Sequence, residues 1–352
     1  MAQRHMNIES SVKCLTYHQT SWAELCINGK AIQRRFPLDN GVQQCESTIP
    51  SSTSTVGQLD LLPVELWHAT FLQLDLESLT MLRTVSRGAQ RMVNGLPGYQ
   101  YLLKHYGHVL CALLALGLGP WFTVQDLLDA VSHPDCTACG DLGVFFCFLA
   151  RSRACYLCLR ENPKFHPLTV ERAKEEYGLN AKAISHIPVL CTIYSTDTPV
   201  SPLGGGRTRL VDPEVARQAG IAVHGSKQEM EKFVAARRAS RMHHYGQQMN
   251  QPQRSTPLLT RPNIWGVFTN NDGEGDHTLR YMGVIYTPWF DRVGRQTETG
   301  LSCLACREDN TYFYSGPRHR HWVRLYTTGG YIGHIEECKK SQIKLTLLSN
   351  PI

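Results

Sequence analysis

"CTACGDLGVFFCFLARSRACYLC", residues 136–158, contains two Cys-x-x-Cys pairs with fifteen residues between them. A Cys-x-x-Cys turn brings two sulfurs close enough to share one ion, and a second pair completes a tetrahedral shell. The spacing C-x2-C-x15-C-x2-C falls in the range of structural zinc sites and predicts an ion held by Cys136, Cys139, Cys155 and Cys158. A redox centre is the competing reading, but it needs a lone Cys-x-x-Cys beside a βαβ unit, and neither pair has that setting. Cys147 lies inside the apolar run "VFFCFL" and reads as a small core residue outside the site.

The compartment bears on disulfides. The first residues, MAQRHMNIES, lack the apolar run of a secretory signal, and the longest greasy tract, "VLCALLALGLGPWF", is too short to span a bilayer and is broken by Gly and Pro. The expected setting is intracellular, cytoplasmic and/or nuclear, where thirteen cysteines, an odd number, act as thiols and metal ligands. A formal charge of +6 over 352 residues is a mild excess, far from the dense basic stripe of a dedicated nucleic-acid binder.

Working outward, residues 1–58 show no sustained periodicity and end in "ESTIPSSTSTVGQ", so they read as a disordered arm and linker carrying Cys14, Cys26 and Cys45. A periodic helical region follows from 59 to 116, and "GLGP" at 117–120 interrupts it. "TVERAKEEYGL" predicts a short helix capped by Thr169 and closed by Gly178, and "PLGGGRTR" (202–209) a loop. Two further helices follow, one capped by Asp212 with Pro213 at its first position, the next by Ser226 after Gly225. From 262 onward, "YMGVIYTPWF" and "HWVRLYTT" look like short strands.

A second cluster lies there. "SCLAC" supplies Cys303 and Cys306, and "HIEEC" supplies His334 and Cys338 about one helical turn apart, able to face the same ion. His319 and His321 in "GPRHRHW" compete with His334 but lack a thiolate partner at helical spacing. Four protein ligands at each ion leave no open position for a water, so both zincs are expected to be structural. No nucleophile elbow, phosphate-cradling loop or paired carboxylates stand out, and "GGG" at 204–206 lacks the Lys-Ser/Thr of a phosphate loop. No catalytic residues are assigned.

In "LLPVELWHATFLQLDLESLTMLRTVSRGAQRMV" (61–93), Leu62, Leu66, Trp67 and Phe71 share one helical face, and Leu79, Leu82 and Val85 a second. On periodicity alone this is a helical hairpin buried in a larger core. The order of residue types adds more: Leu62-Pro63-x-Glu65-Leu66, then Leu72, Leu79, Leu82, Val85-Ser86-Arg87 and Val93, resembles the F-box over about forty residues. It departs at Gln90, near where the family carries an aromatic. The resemblance implies a small helical plug whose apolar edge (Leu62, Pro63, Leu66, Leu72, Leu79, Leu82, Val85) docks on the Skp-family adaptor of a cullin-based ubiquitin ligase.

"CYLCLRENPKFHPLTVERAKEEYGL", with the later "HGSKQEMEKFVAARR", resembles the zinc and DNA-binding domain of the xeroderma pigmentosum group A repair proteins over roughly 110 residues. Thr169, Ala173, Lys174, Tyr177 and Leu179 reproduce its helix, and Gly225-Ser226 the start of its later one. Where that family places two basic phosphate contacts, this chain has Val170 and Asn180. Eight Lys/Arg against four acids between 207 and 241 leave a local excess, which fits a phosphate surface or an ordinary solvated face.

Together the plug and the His-x-x-x-Cys-terminated domain look like a group of fungal F-box proteins. The expected class is α+β: a helical F-box-like bundle, then a zinc-stabilised domain with short strands. The expected units are the arm (1–58), the bundle (59–107), connecting helices (108–130), the four-cysteine domain (131–250) and a strand-rich part with the second zinc (251–345). The implied function is a non-catalytic substrate receptor with an unknown protein substrate; the rival is a repair-like nucleic-acid module.

Overall fold

The computed structural model describes residues 12–19, 21–36, 38, 56–57, 61–193, 207–249, 279–308, 323–338 and 341–342. Cys45, His319, His321, the Gly-Gly-Gly connector and most of the Ser/Thr-rich stretch lie outside them.

The fold is α+β. A helical turn over 12–15 (α1) leads into β1 (Thr16–Tyr17), and Asn28 caps α2 (Gly29–Arg35) by accepting the Ala31 amide. α3 (Val64–Phe71) starts after Pro63, which stands at the N-cap. Asp75 caps α4 (Leu76–Val85) and Ser86 caps α5 (Arg87–Asn94), each side chain accepting the amide three residues on. α6 (Pro97–Ala115) takes Pro at its first turn, where the missing N–H costs nothing. Its buried Tyr99, Leu102, Val109, Leu110 and Leu113 join Leu76, Leu79 and Val93 in the largest core. Thr123 and Asp126 form a capping box on α7 (Val124–Ser132).

The cysteine-rich segment builds a sheet from β2 (Phe145–Cys147), β3 (Ser152–Ala154) and the distant β7 (Val284–Tyr286), in the order β3-β2-β7 and wholly antiparallel. α8 (Tyr156–Glu161) follows β3. A second sheet, β4-β6-β5, joins β4 (Leu168–Thr169), β5 (Leu190–Cys191) and β6 (Arg209–Val211). Around it lie α9 (Val170–Tyr177), α10 (Ala181–Ser185), α11 (Pro213–His224) and α12 (Lys227–Met249). The expected caps are in place: Thr169 accepts from the Arg172 amide, Asp212 from those of Glu214 and Val215, and Ser226 from that of Glu229. Gly178 ends α9 in the left-handed conformation, φ 64°. After α13 (Leu279–Met282) and β7 come the hairpin β8 (Trp289–Asp291) and β9 (Gln296–Glu298), then β10 (Ser302–Cys303), α14 (Leu304–Glu308) and α15 (Thr328–Glu337).

Packing crosses the expected divisions and reaches into the arm. α6 kinks at Tyr106 (φ −130°), beside 107/108, and the residues on both sides of the kink feed one continuous core. The 250/251 division is crossed by β7, which pairs with β2. The buried Arg153 closes this junction by donating to the carbonyls of Gly143, Val131 and Thr287 at 2.9, 3.2 and 2.6 Å. The arm is also not disordered throughout, since β1 pairs with β10, α2 packs on α6, and Trp22, Cys26 and Ile32 are buried.

Candidate metal centres

At the first centre, Gly140 adopts φ 77°, a conformation open to residues without a Cβ, and its amide donates to the Cys136 carbonyl at 2.9 Å. That tight turn aims Cys136 and Cys139 the same way. On the other side, β3 delivers Cys155 to the N-cap of α8, where its sulfur accepts the Cys158 amide at 3.4 Å. All four sulfurs lie within 4.8 Å of one another, and Cys139 Sγ is 3.6 Å from Cys155 Sγ. A disulfide needs about 2.05 Å, so these are separate thiols. A tetrahedral ion with metal–sulfur bonds of about 2.3 Å requires sulfur–sulfur edges of about 3.8 Å, which this cluster fits.

At the second centre, β10 ends on Cys303 and α14 carries Cys306, whose amide points at Cys303 Sγ at 3.5 Å. Thr327 caps α15, which supplies His334 and, at its C-cap, Cys338. Cys306 Sγ lies 3.4 Å from His334 Nε2 and 3.8 Å from Cys338 Sγ, and the four ligand atoms again fall within 4.8 Å. The gap of 27 residues between Cys306 and His334 is therefore closed by the fold. Outside the ligands, the Tyr326 ring stacks on His334 at 4.4 Å, Tyr331 Oη reaches Cys303 Sγ at 3.6 Å, and Ser341 Oγ lies 3.2 Å from the same sulfur. Such surrounding contacts orient metal ligands.

The electrostatics of the bare clusters call for a cation. A hydrogen bond from Cys155 holds the Cys136 thiol down to about 4, while Cys155, tied to Cys136 and desolvated, is pushed up. Likewise a hydrogen bond from Cys306 holds Cys303 down to about 2, and Cys306 rises. Sulfurs this close cannot all ionise against their mutual repulsion; a divalent ion at the centre removes that obstacle. Both groups can hold a metal ion. Cys147 stays out: it is buried on β2, and desolvation pushes its thiol up.

The structure separates the seven expected docking residues. Leu62, Pro63, Leu66, Leu72 and Val85 are exposed, Leu66 at 55 % and Val85 at 74 %. Leu79 is instead wholly buried beside Leu76, and Leu82 packs half-buried against the main core. The two lie on the inward side of α4, and Met81, three and four residues from neighbours facing water, is exposed at 61 % in their stead. Leu61 and Val64 are exposed as well, and a leucine-by-leucine reading passes over all three.

In the segment resembling the repair proteins, Val170 is fully buried, and Asn180 caps α10 by accepting the Ala183 amide at 2.7 Å. Beyond Val234, every described side chain of α12 through His244 is exposed, with Arg241 paired to Glu175 at 2.8 Å. Among the described residues no helix is long and apolar enough to cross a membrane. The chain matches no family model, no curated protein and no solved structure.

Proposed function

We propose that the chain is a substrate receptor of a cullin-based ubiquitin ligase, in which α3–α5 dock on the Skp-family adaptor and two structural zinc ions hold the part that presents a protein substrate. The observation that carries this reading is the apolar edge of α3 and α4. Met81 and Val85 stand one turn apart on α4, Leu66 lies on α3 and Leu62 just before its cap, and all four face water. Large apolar side chains left in water on these helices are what a docking interface would cover. Zinc suits both centres because shells of three or four thiolates with tetrahedral edges favour it over harder ions. Each closed shell leaves no place for a reactive water, so the receptor is non-catalytic and the isopeptide chemistry belongs to other subunits.

Pull-down of the adaptor tests this. Leu66→Asp with Val85→Asp is expected to abolish capture while zinc content and helicity stay unchanged, because both side chains are exposed. Undiminished capture refutes the assignment. Leu82 is a poor choice for this test, since a charge there disrupts the core.

A nucleic-acid module is the second reading, favoured by the exposed face of α12 with Arg237, Arg238 and Arg241. It has less support, because Val170 and Asn180 are occupied with packing and capping. Salt separates the two: phosphate contacts weaken steeply between about 50 and 200 mM salt, whereas an apolar adaptor interface changes little.

A further inference from the structure

We propose that residues 12–19 and 21–36 form a strap that ties the two metal centres into one cooperative binding unit, so that neither ion is held independently of the other. This rests on the reading of both clusters as zinc centres.

The strap begins on the second centre. Thr16 pairs with the ligand Cys303 and Tyr17 with Ser302, and the Leu15 carbonyl accepts the Tyr331 hydroxyl at 3.0 Å, the same hydroxyl that reaches Cys303 Sγ. Val12 and Leu15 share a small core with Cys303, Tyr326 and Tyr331. Six residues beyond Thr16, the Trp22 ring lies flat on Tyr156, centroids 4.4 Å apart at 6°. Tyr156 stands between the ligands Cys155 and Cys158. Trp22 and Cys26 are buried in the same cluster as Cys136, Cys147 and Cys155, and the Ile27 amide donates to the Val284 carbonyl at 3.0 Å. Fully extended, six residues reach only about 20 Å, so loss of order at one end disturbs the other.

A second span runs in parallel. Asp141, two residues after Cys139, pairs with Arg324 at 2.7 Å. The next residue, Leu325, is buried in the first centre's core, and Tyr326 stacks on the ligand His334. Binding energy at a structural zinc site is folding energy, and folding at either centre orders the same two spans. The coupling is reciprocal by linkage: what the first ion does for the second, the second does for the first.

The test uses the full chain loaded with zinc, titrated with a chromogenic chelator, and native mass spectrometry to count ions per chain. Wild type is expected to pass from two zincs to none with the one-zinc form scarce. Trp22→Ala is expected to populate that form and to separate the two release midpoints by about tenfold or more in chelator, within the range of typical coupling between sites. If Trp22→Ala does not fold, Arg324→Ala, which breaks an ion pair on the other span, takes the same readout. The proposal is overturned if half-stripped wild type holds about half or more of its chains as the one-zinc form, the proportion for independent sites, with no change in the variants. A chain that binds one zinc or none overturns the two-ion reading itself, and the strap with it.

Discussion

At the residue scale, single atoms decide what each position tolerates. A Cβ added to Gly178 would lie 2.6 Å from His224 Nε2 and 2.9 Å from the Phe233 ring, on a backbone at φ 64°. Gly178→Ala is expected to destabilise the fold by about 1–2 kcal/mol from the left-handed backbone alone, and more from the clash, read as a lower denaturation midpoint. His108 offers a test in pH. Burial, with the charge of Arg153 adding to it, pulls its imidazole down to about 4. The unfolded chain therefore binds the proton first: stability is full above about 6.5, falls as pH drops toward 4, and loses up to about 3 kcal/mol. Denaturant titrations at pH 7 and pH 5 on wild type and His108→Gln should show a shallower loss in the variant; identical slopes contradict the assignment.

At the element scale, what was legible in the sequence is what short-range chemistry determines. The caps at Thr169, Asp212 and Ser226, and the turn at Gly178, follow from hydrogen bonds spanning two to four residues, and the structure holds each of them. The two Cys-x-x-Cys turns and the His-x-x-x-Cys step are local in the same sense. Leu79 shows where that reasoning stops: periodicity marks the apolar side of a helix but not whether a core or a partner covers it, and here α5 and the turn at 119–121 pack on α4 and Leu79 is buried in the main core. The exposed remainder of α3 and α4 carries the docking prediction, and Met81→Asp, on the same edge, is expected to weaken adaptor capture at least about tenfold without lowering the thermal midpoint by more than a few degrees. Binding assays beside a thermal melt check both halves.

At the scale of the whole molecule, the contacts that join its parts are long-range, and those were not legible. Thr16 meets Cys303, Ile27 meets Val284, and Phe146 meets Ile285, pairings that no local period announces. On local signals alone the arm therefore reads as mostly disordered. Its only local signals were Trp22 and Cys26 in "SWAELCI" and the Asn28 cap before "GKAIQRR". Contacts cross the expected divisions for the same reason: Arg153 and β7 bind together segments more than a hundred residues apart. Salt tests the proposed receptor role at this scale: adaptor capture by the intact chain should lose little affinity between about 50 and 200 mM salt.

All of this depends on sulfur and imidazole groups from remote parts of the chain being gathered around two closed ions. Elemental analysis of the freshly purified full chain, paired with native mass spectrometry, measures that directly. Two zincs per chain are predicted; Cys155→Ser is expected to lose its own ion and to hold the other more weakly, and the double change with Cys306→Ser to lose both. A folded chain that carries no metal contradicts the account.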